Sequence, residues 1–381
     1  MRGWGDRDKD LKRWGEWVTR RKNWEIRESV MSKRRTKRIV ALLLIGPCLL
    51  TVPFGKSEGQ TISLPQEKHL ANIRQLTFGG KNAEAYFSFD GKKLIFQATR
   101  DGFQCDQIFT MNDDGKDLRL VSTGKGQTTC AYFFPGDKGI LYSSTHHVNP
   151  DCPPARPREK RFIWPLHPYE IFKAKADGSD LKRLTFTGAY NAEATVSKEG
   201  KIVFTSLGDG DLDIYTMNQD GSDVKRLTRQ KGYDGGPFFS ADGKKIVYRA
   251  YHPKDQKELE EYEENLAKRQ VVGGRLELFV MDSDGSNQKQ MTDNGASNFC
   301  PFFHPNGKQI IFSSNLHQPQ GREFNLYLIN EDGTGLERIS FHQGFDSFPM
   351  FSPDGKRLVF VSNRNAKHPG EFNIFLADWI P

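Results

Sequence analysis

The chain predicts an all-β fold: a six-bladed β-propeller of four-stranded antiparallel blades, closed by an N-terminal strand that pairs with the C-terminal blade. Three repeated patterns predict it. Segments AYFSFDGKKLIF (85–96), AYFFPGDKGILY (131–142), ATVSKEGKIVF (194–204), PFFSADGKKIVY (237–248), PFFHPNGKQIIF (301–312) and FSPDGKRLVF (351–360) share one spacing. Each is followed by a unit such as IFTMNDDG (108) or LYLINEDG (326), with IFLADWIP (374) ending the chain. Short motifs of the type RLT recur at 74, 119, 182, 225, 289 and 337.

Apolar and polar residues alternating at period two make half-buried strands, and Asp-Gly or Asn-Gly supplies the positive φ of a tight hairpin. Each unit therefore holds four antiparallel strands, A to D. Unit starts at 73, 119, 182, 225, 289 and 337 leave 43 to 64 residues per unit, the length of a propeller blade. The last copy has strands A, B and C without a D, while the first RQLT has no blade before it. Pairing Ile73 to Thr77 with the C-terminal strand completes blade 6 and removes two open edges.

Ahead of the propeller the chain divides into three parts. Residues 1–30 hold four of the six tryptophans and no periodicity that continues into the fold, and are expected to be an extension ahead of a true start at Met31. Residues 31–59 read as a signal peptide: a basic start, an apolar run from Ile39 to Phe54 and small residues suited to cleavage. Residues 60–72 are a linker, and 73–381 the propeller. The expected location is periplasmic or secreted, with no stable membrane insertion once the signal is cleaved.

The formal net charge of +7 belongs to this leader. Residues 1–60 carry 15 Lys+Arg against 7 Asp+Glu, and the remainder 40 against 41. No basic footprint for a phosphate backbone remains, so nucleic acid is excluded as a partner. An exported protein meets an oxidising compartment. One disulfide is expected among Cys105, Cys130 and Cys152, with Cys105 to Cys130 the leading pairing, although spacing alone does not decide connectivity. Cys300 reads as a buried free thiol.

The F-S-P-D-G-K, I-Y-x-M-N-x-D-G and R-L-T spacing resembles the TolB-like, WD-like (PD40) propeller repeat family over about residues 70–381 and all six repeats. The resemblance implies the propeller fold. Propellers of this family also front prolyl-type serine peptidases, but the one nucleophile-elbow match, Gly55 to Gly59, has neither the strand before it nor the helix after it that the motif needs.

Residues common to every blade serve the blade; departures need another reason. The polar position before strand C's apolar pair (Gln107, Glu170, Asp213, Glu277, Asn325, Asn373) is expected to bond neighbouring backbone. Every A–B and C–D turn is short, whereas the B–C loops of blade 2 (143–169) and blade 4 (249–276) are long. The face bearing the B–C and D–A loops is therefore the candidate functional face. In blade 4, Asp255 caps a short helix with Glu258 three residues on and a stripe of Leu259, Tyr262 and Leu266, expected as a partial lid on the rim.

Two columns mark the entrance to strand A. Asn82, Thr128, Asn191, Asp234, Asn298 and Asp346 read as turn caps, since Asx side chains bond nearby backbone. Two positions on stand Glu84, Cys130, Glu193, Gly236, Cys300 and Phe348, where Glu84 and Glu193 are placed to bind a cation or amine. The first column with Glu84 and Glu193 forms the candidate ligand-binding set at the channel mouth. Seven of the nine histidines lie in loops of the same face, and His146, His147 and His167 are the candidate ligands of a divalent metal, although no metal-binding spacing appears. The run DGDLD (209–213) lacks the Gly and terminal Glu of an EF-hand loop.

The reading is a noncatalytic, monomeric propeller that binds a protein, peptide or saccharide ligand on its B–C/D–A face, with no catalytic residue assigned and no cofactor required. The alternative is a metal-dependent propeller lyase or hydrolase acting on a saccharide.

Overall fold

The computed structural model describes residues 62–154 and 162–381. The expected signal peptide, the extension before it and the motif at Gly55 lie outside them. Six four-stranded antiparallel sheets follow one another along the chain, and the sixth takes its outer strand from the N-terminal end. That strand, Leu70–Gln75, pairs with Asn373–Trp379 in the register Arg74 with Leu376 and Gln75 with Phe375. The closure read from the repeat ends is thus present.

The recurring letters have recurring jobs. The Ser or Thr that ends each RLT-type motif accepts a hydrogen bond from the first apolar N–H of strand C: Ile108 to Ser122, Ile171 to Thr185, Ile214 to Thr228, Leu278 to Thr292, Leu326 to Ser340 and Ile374 to Thr77. Those strand D segments are only two residues long in blades 1 to 5, so the side-chain bond replaces ladder hydrogen bonds that the backbone cannot supply. The polar column beside it closes the D–A loop. Gln107 donates to the Gly126 carbonyl, and Glu277 accepts from the Asn294 and Gly295 N–H groups. The A–B turns are set by the Asp-Gly pair; Gly91 sits at φ 70°, where a side chain would be strained.

Between blades the core is aliphatic and aromatic, with Phe96, Phe133, Phe204, Tyr248, Phe312 and Phe360 fully buried. Strand B and strand C rings stack in pairs, such as Phe312 on Tyr327 at 5.8 Å and Phe360 on Phe375 at 5.7 Å. Burial of such rings supplies about 1.5–3 kcal/mol each, which is how short strands hold a large ring of sheets together.

The long loops of blades 2 and 4 pair with one another. Phe162–Pro165 and Gln270–Gly273 form a two-stranded antiparallel sheet, with Trp164 opposite Val271. The helix Gln256–Ala267 precedes the second of these strands. Asp255 accepts from the Glu258 N–H at 2.8 Å, as the capping pattern predicts, and Tyr262 is the helix residue that buries. Its hydroxyl donates to Asp211 at 2.5 Å and to the Gly232 carbonyl at 2.8 Å, pinning the helix to the blade 3 and blade 4 rim.

The disulfide joins Cys105 to Cys152 and leaves Cys130 and Cys300 as buried thiols. The expected Cys105–Cys130 pairing is therefore corrected. Cys130 lies within strand A of blade 2 with its side chain toward the channel, whereas Cys152 enters from the same blade's long loop and meets Cys105 at a Cα separation of 5.7 Å. The Cys300 expectation holds.

Candidate functional site

In every blade strand A carries a bulge at the same place, between Ala83 and Tyr86 in blade 1 and at the equivalent step in the other five. The bulged residue is the second column. Glu84, Cys130, Glu193, Gly236, Cys300 and Phe348 all have φ between 51° and 59°. A residue turned into the left-handed region departs from the strand's in-and-out alternation, and here the turn aims the side chain at the propeller axis. Groups from four blades meet there: Glu84 interacts with Cys130, Glu193 and Arg249.

Glu193 is the best-bonded member. It accepts from Thr205 Oγ1 at 2.7 Å, the Gly236 N–H at 2.9 Å and the Tyr233 hydroxyl at 3.2 Å, and forms an ion pair with Arg249. Arg249 comes from strand B, and it reaches the axis because Gly236 has no side chain. A Cβ at Gly236 would fall on the Arg249 guanidinium. The guanidinium is walled by Tyr233, Phe299 and Trp164 at 5.6, 5.5 and 6.0 Å. Its Nε has no partner among the described residues.

Glu84 is the opposite case. It is half-buried, and the Tyr86 hydroxyl stands at 3.5 Å. Burial raises its carboxyl to about 7; a hydrogen bond from the Cys130 thiol pulls against the rise and the Glu193 charge adds to it. Burial likewise pushes both thiols up, Cys300 to about 12. They are unreactive as nucleophiles near neutral pH.

Two residues further along strand A, toward the plain face, the axis is filled by rings. Tyr86 lies 5.3 Å from Phe238 and 5.8 Å from Tyr132, and Phe238 lies 5.5 Å from Phe302. The channel is thus stopped on the plain side. On the loop side a chain of half-buried rings runs from the two-stranded cap around blades 5 and 6: Trp164 to Phe299 at 6.1 Å, Phe299 to Phe324 at 5.7 Å, Phe324 to Phe345 at 5.8 Å and Phe345 to Phe372 at 5.2 Å. The site is a mouth with an aromatic rim and a floor of two carboxyls, one guanidinium and two thiols.

The first column does not line it. Asn82, Thr128, Asn191, Asp234, Asn298 and Asp346 are each at most 1% exposed, in the seams between blades. Asn82 donates to the Phe372 carbonyl at 2.7 Å, Thr128 to the Asp106 carbonyl at 2.9 Å and Asn298 to the Leu276 carbonyl at 2.8 Å. Asn191 donates to Glu170, Asp234 meets His252 and Asp346 accepts from Arg364. Turn capping of nearby backbone is seen at Asn82, which also donates to the Gly79 carbonyl at 3.0 Å; the other five bond groups distant in sequence, and their burial takes the column out of the expected ligand-binding set.

The candidate histidines pack on aromatic rings. His146 Nδ1 lies 2.7 Å from Ser144 Oγ, with its ring 4.4 Å from Phe172; the His147 ring is 5.9 Å from Phe172, and His167 packs 5.9 Å from Tyr169. Among the described residues no three His, Cys, Asp or Glu side chains come together at metal-binding geometry. The DGDLD aspartates are used locally, Asp209 by Tyr215, Asp211 by Tyr262 and Asp213 by Arg226.

Sequence reasoning missed Arg249 and the aromatic rim. The signal for Arg249 was in the repeats: its column reads Gln97, Ser143, Thr205, Arg249, Ser313 and Val361, one long cation among small or uncharged residues. The rim had a weaker signal, since Phe324 and Phe372 occupy a position that is Leu212 and Leu276 in blades 3 and 4.

The family model for the TolB beta propeller domain (PD40) matches residues 263–367. No curated protein sequence matches the chain. Among solved structures, a protein from Agrobacterium tumefaciens assigned provisionally as TolB is 17% identical, with a TM-score of 0.53 over 79% of this chain and 91% of its own. TolB from Acinetobacter baumannii is 18% identical with a TM-score of 0.51 over 76% of this chain, which spans 65% of that protein. The hydrazine synthase of Kuenenia stuttgartiensis is 16% identical with a TM-score of 0.50 over 68% of this chain and 39% of its own. At these identities the likeness is one of fold.

Proposed function

For this chain, a TolB-like β-propeller, we propose the role of a noncatalytic binding module that takes a segment of a partner polypeptide at the loop-face mouth. The observation that carries the reading is the continuous aromatic rim from Trp164 to Phe372 above a polar floor, since recognition sites combine apolar and aromatic walls with a few convergent polar groups. Three strongly exposed phenylalanines stand on the same face: Phe186 at 72%, Phe78 at 67% and Phe162 at 62%. Aromatic residues dominate protein-binding surfaces because they offer large contact area at little cost in side-chain freedom.

Export is part of the proposal. The Cys105–Cys152 bond belongs to an oxidising compartment, and among the described residues no helix is long and apolar enough to cross a membrane. The floor groups suit binding better than turnover: Glu193 is tied by four partners, and both thiols are held protonated by burial.

The test pairs a displayed random-peptide library with a turnover assay on chromogenic saccharides, both on the full chain. Selected peptides should lose at least about tenfold in affinity on Phe299→Ser/Phe345→Ser, the loss expected for truncating central aromatic anchors. Peptides indifferent to that change, or saccharide turnover, would overturn the reading in favour of the lyase or hydrolase alternative.

A further inference from the structure

We propose that the mouth selects a cationic group, the ammonium of a lysine or of a chain N-terminus, and that Glu84 is its counter-ion. The inference rests on the peptide-binding reading and specifies what that peptide presents.

Charge at the axis is unevenly assigned. Of the two carboxyls in the ring, Glu193 is consumed by Arg249 and three hydrogen-bond donors. Glu84 forms no ion pair among the described residues and has only the long contact from Tyr86 and the weak thiol of Cys130 beside it. With Glu84 ionised the ring carries one uncompensated negative charge, from two carboxylates and one guanidinium. An anionic ligand would have to displace Glu193 from Arg249. A neutral saccharide would leave the Glu84 charge uncompensated. A cation finds aromatic rings that attract it and a carboxylate that forms no ion pair among the described residues.

The groups facing Glu84 define the pH behaviour. They are Tyr86 on its own strand, Asp106 in the same blade, Cys130 from blade 2, Glu193 from blade 3 and Arg249 from blade 4. Burial holds the Glu84 carboxyl at about 7, so below that pH it carries a proton that the arriving cation must displace. Binding should therefore release a proton and weaken by up to about tenfold per pH unit as pH falls below 7.

The experiment is calorimetric titration of the full chain with capped peptides Ala-Ala-Phe-Lys-Phe-Ala-Ala, the same with acetyl-lysine or glutamate at the centre, and an uncapped version lacking lysine. At pH 8 the lysine or the uncapped peptide should bind at least about tenfold more tightly than the acetyl-lysine peptide, the strength of one charge-assisted contact, and which of the two does so identifies the source of the ammonium. Glu84→Gln should abolish the preference, its pH dependence and the proton release, with Glu84→Asp restoring part of each and both variants keeping the circular dichroism spectrum of the folded wild type. Retained peptide binding with an unchanged lysine preference in Glu84→Gln overturns this inference alone. A preference for the glutamate peptide, or heat from calcium chloride in place of any peptide, also overturns it. If no peptide binds the wild type, the peptide-binding reading falls with it.

Discussion

Two arginines, Arg364 buried and Arg249 partly so, divide the molecule into the part that holds and the part that receives. Arg364 closes the ring: its guanidinium bonds Ser362, the Ile62 carbonyl, both oxygens of Glu67 and Asp346, and it is 4% exposed. Glu67 in turn accepts from the Leu64 and Phe341 N–H groups, so the N-terminal segment is clamped to blade 6. Arg249 has one carboxylate, three aromatic walls and an Nε without a described partner. Saturation marks a structural charge, because a buried ion is tolerated only when its hydrogen-bonding groups are matched. Of the two guanidiniums, the under-matched one sits at the mouth.

The contrast is sharpened first by truncating each arginine. Arg364→Ala should cost about 3–5 kcal/mol in urea unfolding, because it strands Glu67 and Asp346 together. Arg249→Ala should cost roughly 1–3 kcal/mol, since Glu193 keeps three donors. Equal losses would break the comparison. Next in size, Cys152→Ser should lower stability by about 2–4 kcal/mol, as the disulfide spans a sequence separation of 47 and ties the blade 2 loop to blade 1. Gly236→Ala should cost about 1–3 kcal/mol by driving Arg249 out of its place, and much less when Arg249 is already alanine; additivity in that cycle would deny their coupling.

Smaller effects remain at the rim and the axis. Tyr262→Phe should cost about 1 kcal/mol and loosen the helix on Asp211, read as faster amide exchange in Gln256–Ala267. For Glu84 the sign follows from burial. The folded carboxyl titrates near 7 against an ordinary 4.5, so the folded state keeps a proton that the unfolded chain has lost. Its contribution to stability is full below about 4.5 and disappears as pH rises through 7. Glu84→Gln should therefore lose less stability between pH 5 and pH 8 than the wild type. An identical pH profile would place Glu84 in an unperturbed environment.

The propeller, its six blades and its closure were legible because each blade repeats the same local physics: period-two alternation, Asp-Gly turns and a hydroxyl at the end of strand D. The second column was legible too, since six aligned repeats expose positions where side chains differ. Its companion was not read correctly as a ligand surface. Asn82 and its five equivalents are polar and lie at the entrance to strand A, and nothing local says whether such a side chain faces a seam or a channel.

The amino-acid sequence by itself determined the strands, turns, blade number and ring closure, since these depend on residues near one another or repeated at a fixed spacing. Only the tertiary structure decided which cysteine Cys105 meets, that the loops of blades 2 and 4 pair into one cap, and that Arg249 passes through the gap at Gly236 to reach Glu193. Those partners are far apart along the chain, at separations of 47 for the cysteines and 56 for Arg249 and Glu193, and the packing of neighbouring blades around the axis is what sets them side by side.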